Sequence, residues 1–337
     1  MTDQSRPVLL GQNQYGKAEN RVVRIVRDGR IHHIKDLSVS VALSGDMEEV
    51  HTSGSNATVL PTDTTKNTVF AFAKEHGIES AERFGIALAR HFVTSQEPIE
   101  RARIRIEEYA WERIEPNRGA RSDGGAESNG AESNGTESNG ADSTGADSEG
   151  ADEAKHSFVR KGQETRIAQI TFDGEDWEVL AGLKDLTVLN STDSEFWGYV
   201  KDKYTTLQEA YDRILATEVS ALWRYNWTGG EDGQPDWERS YGEARKHLLE
   251  AFAETYSLSL QQTLYQMGSR VIDHRAEIDE VRLSLPNKHH FLVDLTPFGL
   301  KNDNEVYYAA DRPYGLIEGT VLRAGAQQRI PVDMTNL

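Results

Sequence analysis

Leu37, Val39, Val41 and Leu43 sit two residues apart with polar or small residues between them, which predicts a strand burying one face. A partner strand is expected near Arg21–Arg27, within a pair that continues through Ile31–Leu43. The spacing then changes to that of helices. One helix is predicted from about Thr64 to the breaker Gly77, and a second carries Phe84, Leu88 and Phe92 four apart as an apolar stripe. Strands with Ile104 and Ile106, and with Ile167, Ile170 and Phe172, complete the first unit. The order then recurs. Strands are expected near Trp177–Leu189 and Glu218–Trp227, and a helix with Leu248 and Phe252 follows Asp236, which can cap it. A further helix places Leu260, Leu264, Met267 and Val271 on one face. Strands near Ile278–Leu285, Phe291–Leu295 and Leu316–Val321 close the unit. Two strands, two helices and two strands, twice over, predict an α+β duplication with helices on one face of an antiparallel sheet. Its units are expected at residues 8–175 and 176–325. The pattern leaves sheet edges that oligomerisation commonly covers.

Residues 122–154 break the pattern with pentads such as Gly125-Ala126-Glu127-Ser128-Asn129 and Gly130-Ala131-Glu132-Ser133-Asn134. So small and polar a stretch buries too little apolar surface to offset its ordering entropy, and a disordered acidic insert is expected. It holds nine acidic residues and no Lys or Arg, half of a net charge of −18. The remaining acidic balance disfavours nucleic acid and anionic membranes as partners, and is the pattern of a surface kept soluble at high salt. No apolar run approaches the roughly 20 residues that span a bilayer. Met1-Thr2-Asp3-Gln4 is polar and Met334-Thr335-Asn336-Leu337 is no peroxisomal address, so a cytoplasmic location is expected. The 337 residues contain no cysteine, which removes disulfides, thiolate metal sites and thiol nucleophiles. Adjacent His32-His33 and His289-His290 diverge on a strand, and no His-x-His or His-Glu-x-x-His spacing occurs, so no metal site is expected. No dinucleotide-binding glycine pattern occurs either.

Several polar residues admit two readings. Thr62-Asp63 sits at a helix start, where it could cap backbone amides or help those amides hold an anionic heterocycle. Leu260-Gln261 opens another helix, with Leu260 in the core stripe and Gln261 off it, as a surface residue or a donor and acceptor for a ligand. Arg213 could bind an anion bidentately or form a helical ion-pair set with Glu209 and Asp212. Phe196 beside Trp197 could be core or a stacking platform. His289 could be a core imidazole or a proton relay. Lys17 reads as a solvated lysine, or as a base if burial or a neighbouring cation lowers its pKa.

Together Tyr15-Gly16-Lys17, Thr62-Asp63 with Lys66-Asn67-Thr68, Ser194-Glu195-Phe196-Trp197-Gly198, Tyr204-Thr205-Thr206-Leu207 through Arg213-Ile214-Leu215, and Ser284-Leu285-Pro286-Asn287-Lys288-His289 resemble urate oxidase. The resemblance runs from about Tyr15 to Val321, with the insert as the main departure. It implies two tandem tunnelling-fold (ββααββ) repeats, assembled as a homotetrameric barrel with active sites between subunits. It implies cofactor-free oxidation of urate by O2 to 5-hydroxyisourate and hydrogen peroxide. Lys17, Thr62 and His289 would form the proton relay. Arg213 and Gln261 would clamp urate, Phe196 would stack on it and Asn287 would hold oxygen or water. Asp63 and Leu260 would contribute backbone amides; Leu260 stands where valine is more usual. Two alternatives remain: another tunnelling-fold enzyme acting on purines or pterins, and a non-catalytic purine-binding protein.

Overall fold

The computed structural model describes residues 8–29, 31–114, 156–230 and 233–332. The acidic insert 122–154 lies outside the described residues. In the first half, β1 (Tyr15–Asp28) and β2 (Ile31–Gly45) are followed by a one-turn α1 (Glu48–Thr52), α2 (Thr62–Glu75), α3 (Ala81–Ser95) and β3 (Ile99–Tyr109). A short ribbon of β4 (Trp111–Arg113) and β5 (Phe158–Arg160) precedes β6 (Thr165–Phe172). The second half runs β7 (Trp177–Asn190), β8 (Leu215–Tyr225), α4 (Trp237–Glu254), α5 (Leu260–His274), β9 (Ile278–Leu292) and β10 (Tyr307–Leu322). The main strands form one eight-stranded sheet, ordered β1-β2-β3-β6-β7-β8-β9-β10, with every neighbouring pair antiparallel.

The alternation read from β2 is the helix-facing row of this sheet. Leu37, Val39, Val41 and Leu43 are buried there, with Ile104 and Ile106 of β3 and Ile170 of β6. Phe84, Leu88 and Phe92 of α3 and Leu260, Leu264, Met267 and Val271 of α5 press on the same core. Each such side chain contributes about 1.5–3 kcal/mol on burial. Gly85 lets α3 lie close to the sheet, since a β-carbon there would come within 2.5 Å of Ile170. Ser80, Asp236 and Ser259 cap α3, α4 and α5, each side chain accepting from the backbone amide three residues on.

Two expectations change. The strands expected near Ile278–Leu285 and Phe291–Leu295 are one continuous β9, because extended backbone accommodates the fixed φ of Pro286, which pairs with Leu316. Thr62 and Asp63 do not cap α2: Pro61 occupies the N-cap, and they form the first turn.

Buried charge joins the two halves. Arg166 of β6 donates to Glu82 of α3 at 2.7 Å and to Glu238 of α4 at 2.9 Å, with Glu108 3.4 Å away. Glu82 is 0% exposed. Burial opposes charge at both ends of this pair. At Arg166 the carboxylates of Glu82, Glu108 and Glu238 outweigh it and push the pKa up. At Glu82 burial prevails over Arg166 and raises the carboxyl, so Arg166 is the permanent charge and Glu82 the member more easily neutralised. On the opposite face, Ile330 completes a small cluster with Ile167, Leu180 and Leu222. The chain end is held there by Glu280, which accepts from the Arg329 and Ile330 amides at 2.9 and 3.0 Å and from Arg224 Nε at 2.9 Å.

Removing one partner of a buried pair costs about 3–5 kcal/mol, whereas replacing both by apolar groups can be neutral. Arg166→Ala should therefore lower unfolding free energy by about 3 kcal/mol in denaturant titrations. The double variant Arg166→Met with Glu82→Leu should recover most of the loss; equal losses in both would contradict a role for the charge.

Candidate active site

One cavity of about 910 Å³ gathers Phe196, Arg213, Leu260, Gln261, Asn287 and His289, with Ile214, Phe291, Tyr307 and Ile317 completing much of the wall. Its residues come from several parts of the chain. Arg213 lies just before β8, Asn287 and His289 lie on β9, and Leu260 and Gln261 open α5. Phe196 belongs to the irregular segment between β7 and β8, fastened by a two-way backbone bridge to Ala210.

Arg213 is not on a helix. The expected surface ion-pair set with Glu209 and Asp212 does not form, because tertiary contacts claim each acid separately. Glu209 accepts from Lys201, Tyr211 and the Gly198 amide, and Asp212 accepts from Thr192. The Arg213 guanidinium instead donates through Nε to Ser194 Oγ at 3.1 Å and lies 5.2 Å from the centre of the Phe196 ring. Tyr199 stacks on Phe196 with centroids 4.9 Å apart and planes 14° apart. Burial lowers the Arg213 pKa, and among the described residues no carboxylate pairs with it. The cavity therefore holds an arginine charge whose terminal N–H groups are left for an anion.

Ser259 caps α5 by accepting from the Gln262 amide at 3.2 Å, and Gln262 in turn accepts from the Leu258 amide at 2.8 Å. These reciprocal bonds leave Leu260 and Gln261 at the first two helical positions, where backbone amides have no intrahelical acceptor. Leu260 is buried in the core and Gln261 is exposed. Asn287 pairs in register with Thr217 on β8 and with Gly315 on β10, and the β9–β10 ladder breaks just beyond it, between Ala310 and Gly315. His289 stacks on Phe291 with centroids 5.7 Å apart. Burial, then Arg213 and His290, lower its pKa, so the cavity favours the neutral imidazole.

Lys17, Thr62 and Asp63 lie elsewhere in the chain, as a second group. Lys17 sits at a bulge in β1: the ladder to β2 breaks between Lys17 and Asn20, and Glu19 adopts a φ of +55°. Asn20 fills the gap by donating to the Lys17 and Val39 carbonyls at 3.3 and 2.9 Å. Gly16 lets this strand close in, since a β-carbon there would fall 1.9 Å from the Val41 carbonyl oxygen. The Tyr15 hydroxyl accepts from the Leu60 amide at 2.9 Å and so ties β1 to the loop that delivers Thr62. Asp63 accepts from Lys66 and Asn67, and its pKa is lowered by the Lys66 hydrogen bond first, with a smaller contribution from the charge of Lys17. Among the described residues no side chain caps the first amides of α2, which lie beside an acid offset by Lys66. Between β1 and β8 the sheet order imposes five strand spacings, about 24 Å along the sheet.

A sequence model of the family described as Uricase matches residues 13–171 and 179–318. The uricase of Arthrobacter globiformis is 45% identical over 331 residues, covering 98% of this chain and 95% of the relative. The chain belongs to the uricase family. The uricase of Emericella nidulans is 34% identical, over 92% of this chain and 96% of the relative. Among solved structures, the Arthrobacter globiformis uricase matches with a TM-score of 0.82, covering 97% of this chain and 99% of that one. A uricase from Bacillus fastidious shares the fold with a TM-score of 0.69 at 20% identity.

Within this uricase fold the residue pattern misses the parts that hold the site rather than line it. Ser194 and Tyr15 stand inside motifs quoted above, but their hydrogen bonds depend on residues 19 and 45 positions away. Ile317 and Tyr307 reach the cavity from β10, and nothing in their local spacing marks them.

The lowered pKa of His289 has a readable sign. Below the ordinary imidazole value of about 6.5 the unfolded chain takes up the proton first, so stability falls with pH until folded His289 also protonates. An NMR titration should place His289 below about 6.5, and Arg213→Gln should move it upward. A midpoint at or above that value in the unsubstituted protein would contradict this electrostatic environment.

Proposed function

We propose that the protein is a urate oxidase whose catalytic sites are completed by two chains. Membership of the uricase family supports the substrate and the reaction class. The observation that carries the residue assignments is the division into two groups. One group has an unneutralised Arg213 with Gln261, Phe196, Asn287 and His289 around a cavity. The other has Lys17 with the first turn of α2 at Thr62 and Asp63.

Arg213 and Gln261 grip opposite edges of urate, an anion with alternating donors and acceptors, while Phe196 supplies a ring face. Leu260 and Asp63 offer helix-start amides. Lys17, with Thr62 and His289, removes the second proton, which makes the purine a better reductant. Two electrons and two protons pass from urate to O2, giving hydrogen peroxide, and water supplies the hydroxyl of 5-hydroxyisourate. Asn287 holds oxygen, then water, above the ring. In this reading the protein contributes positioning and charge, and the substrate supplies the electrons.

Assembly is part of the same proposal. The edge strands β1 and β10 expose apolar side chains, among them Val23, Ile25, Tyr308 and Leu316, which suits pairing with further copies in a tetrameric barrel.

Protein dialysed against a chelator should consume urate, followed by its ultraviolet absorbance, with equimolar oxygen uptake. Activity restored only by added copper or iron would overturn the cofactor-free reading. Binding of urate without turnover would instead make the chain a purine-binding protein. Lys17→Met should cut kcat by about 10²-fold while leaving urate affinity nearly intact. Arg213→Ala should weaken affinity about 10–100-fold, the worth of a hydrogen bond to a charged group. The same loss of affinity in both variants would remove Lys17 from the role of base.

A further inference from the structure

We infer that Ser194 is a positioning residue that sets the orientation of the Arg213 guanidinium, and with it the alignment of the anion clamp. The assignment rests on the urate-oxidase reading of the cavity. Ser194 is 1% exposed, two residues before Phe196. It meets Arg213 twice: its carbonyl accepts the Arg213 amide at 2.9 Å, and its Oγ accepts Nε–H at 3.1 Å.

A guanidinium can present either of two paired N–H edges, one formed by the two terminal nitrogens and one that uses Nε. Occupying Nε withdraws the second edge, so the terminal nitrogens are what the cavity receives. Among the described residues no other side chain accepts a hydrogen bond from Arg213. Without Ser194 Oγ the head group would be free to turn between its two edges, and part of its binding energy would go to restoring one of them.

The same serine stands where the two arms of the clamp are joined. Glu195 N donates to Ser257 O at 2.7 Å and Ser257 N donates to Asp193 O at 2.9 Å, which sews this segment to the approach of α5. Ser257 Oγ donates to Ser259 O at 3.1 Å and receives Thr263 Oγ1–H at 2.8 Å, both within α5's first turns. Ser257 and Thr263 are fully buried. The spacing between Arg213 and Gln261 therefore runs through buried hydroxyls and backbone bonds, with Ser194 at the Arg213 end.

The test is anaerobic equilibrium binding of urate, read by difference absorbance, alongside steady-state turnover in air. Ser194→Ala should raise Kd and KM about 10-fold, the usual effect of losing a hydrogen bond to a charged group, with kcat within about threefold. Ser194→Thr, which keeps the hydroxyl, should bind within about threefold of the unsubstituted protein. In an Arg213→Lys background, which has no Nε–H, Ser194→Ala should add less than about twofold. If Ser194→Ala does not fold, Ser194→Cys, a weak acceptor of similar size, should show the same loss. Unchanged affinity in the Ala or Cys variant, or an equal loss in the lysine background, overturns the assignment. Failure of the unsubstituted protein to bind urate at all overturns the functional reading itself, and the Ser194 role falls with it.

Discussion

Hydrogen-bonded strand order is the constraint from which the rest follows. An antiparallel ladder fixes its neighbours about 4.8 Å apart, and five such steps separate the bulge that carries Lys17 from the strand that begins after Arg213. No side chain spans that distance. In the proposed reading, the group at Lys17 and the group at Arg213 therefore meet between two copies of the chain rather than within one. The edge strands that make such a meeting possible are the first and last of the same ladder.

Electrostatics within the clamp follow from burial. Arg213 is partly withdrawn from water with a serine hydroxyl in place of a carboxylate, so its charge is available to a ligand. Desolvation first, and then that same charge, lower the His289 pKa and favour its neutral form. At the other group the acid of Asp63 is offset by Lys66, beside the first amides of α2. Elsewhere the buried cluster around Arg166 pairs its charge with carboxylates, and joins α3 to α4.

Much of the fold was legible because its patterns are local. The two-residue alternation of Leu37 to Leu43 and the stripe from Leu260 to Val271 are what a one-sided sheet and its helix require, and both occur. Misreadings fell where distant contacts decide. Pro286 reads as a break, yet β9 continues through it. The run Leu207-Gln208-Glu209-Ala210 favours a helix, but Tyr199 bonds the Leu207 carbonyl and Phe196 bridges Ala210, and those contacts override propensity. Candidate residues at Phe196, Arg213, Gln261, Asn287 and His289 were named from their motifs, and the cavity brings them together. Ser194 and Tyr15 escaped because a hydroxyl's partner cannot be read from its neighbours in sequence.

The central claim is that each site takes one group from each of two chains, and mixing inactive variants tests it most directly. Lys17→Met retains the clamp, and Arg213→Ala retains the base. After subunit exchange in equal amounts, random pairing should rebuild about a quarter of the sites and recover urate oxidation to that extent. No recovery, with exchange verified by mass spectrometry of differently labelled chains, would mean that the two groups do not share a site across a subunit boundary.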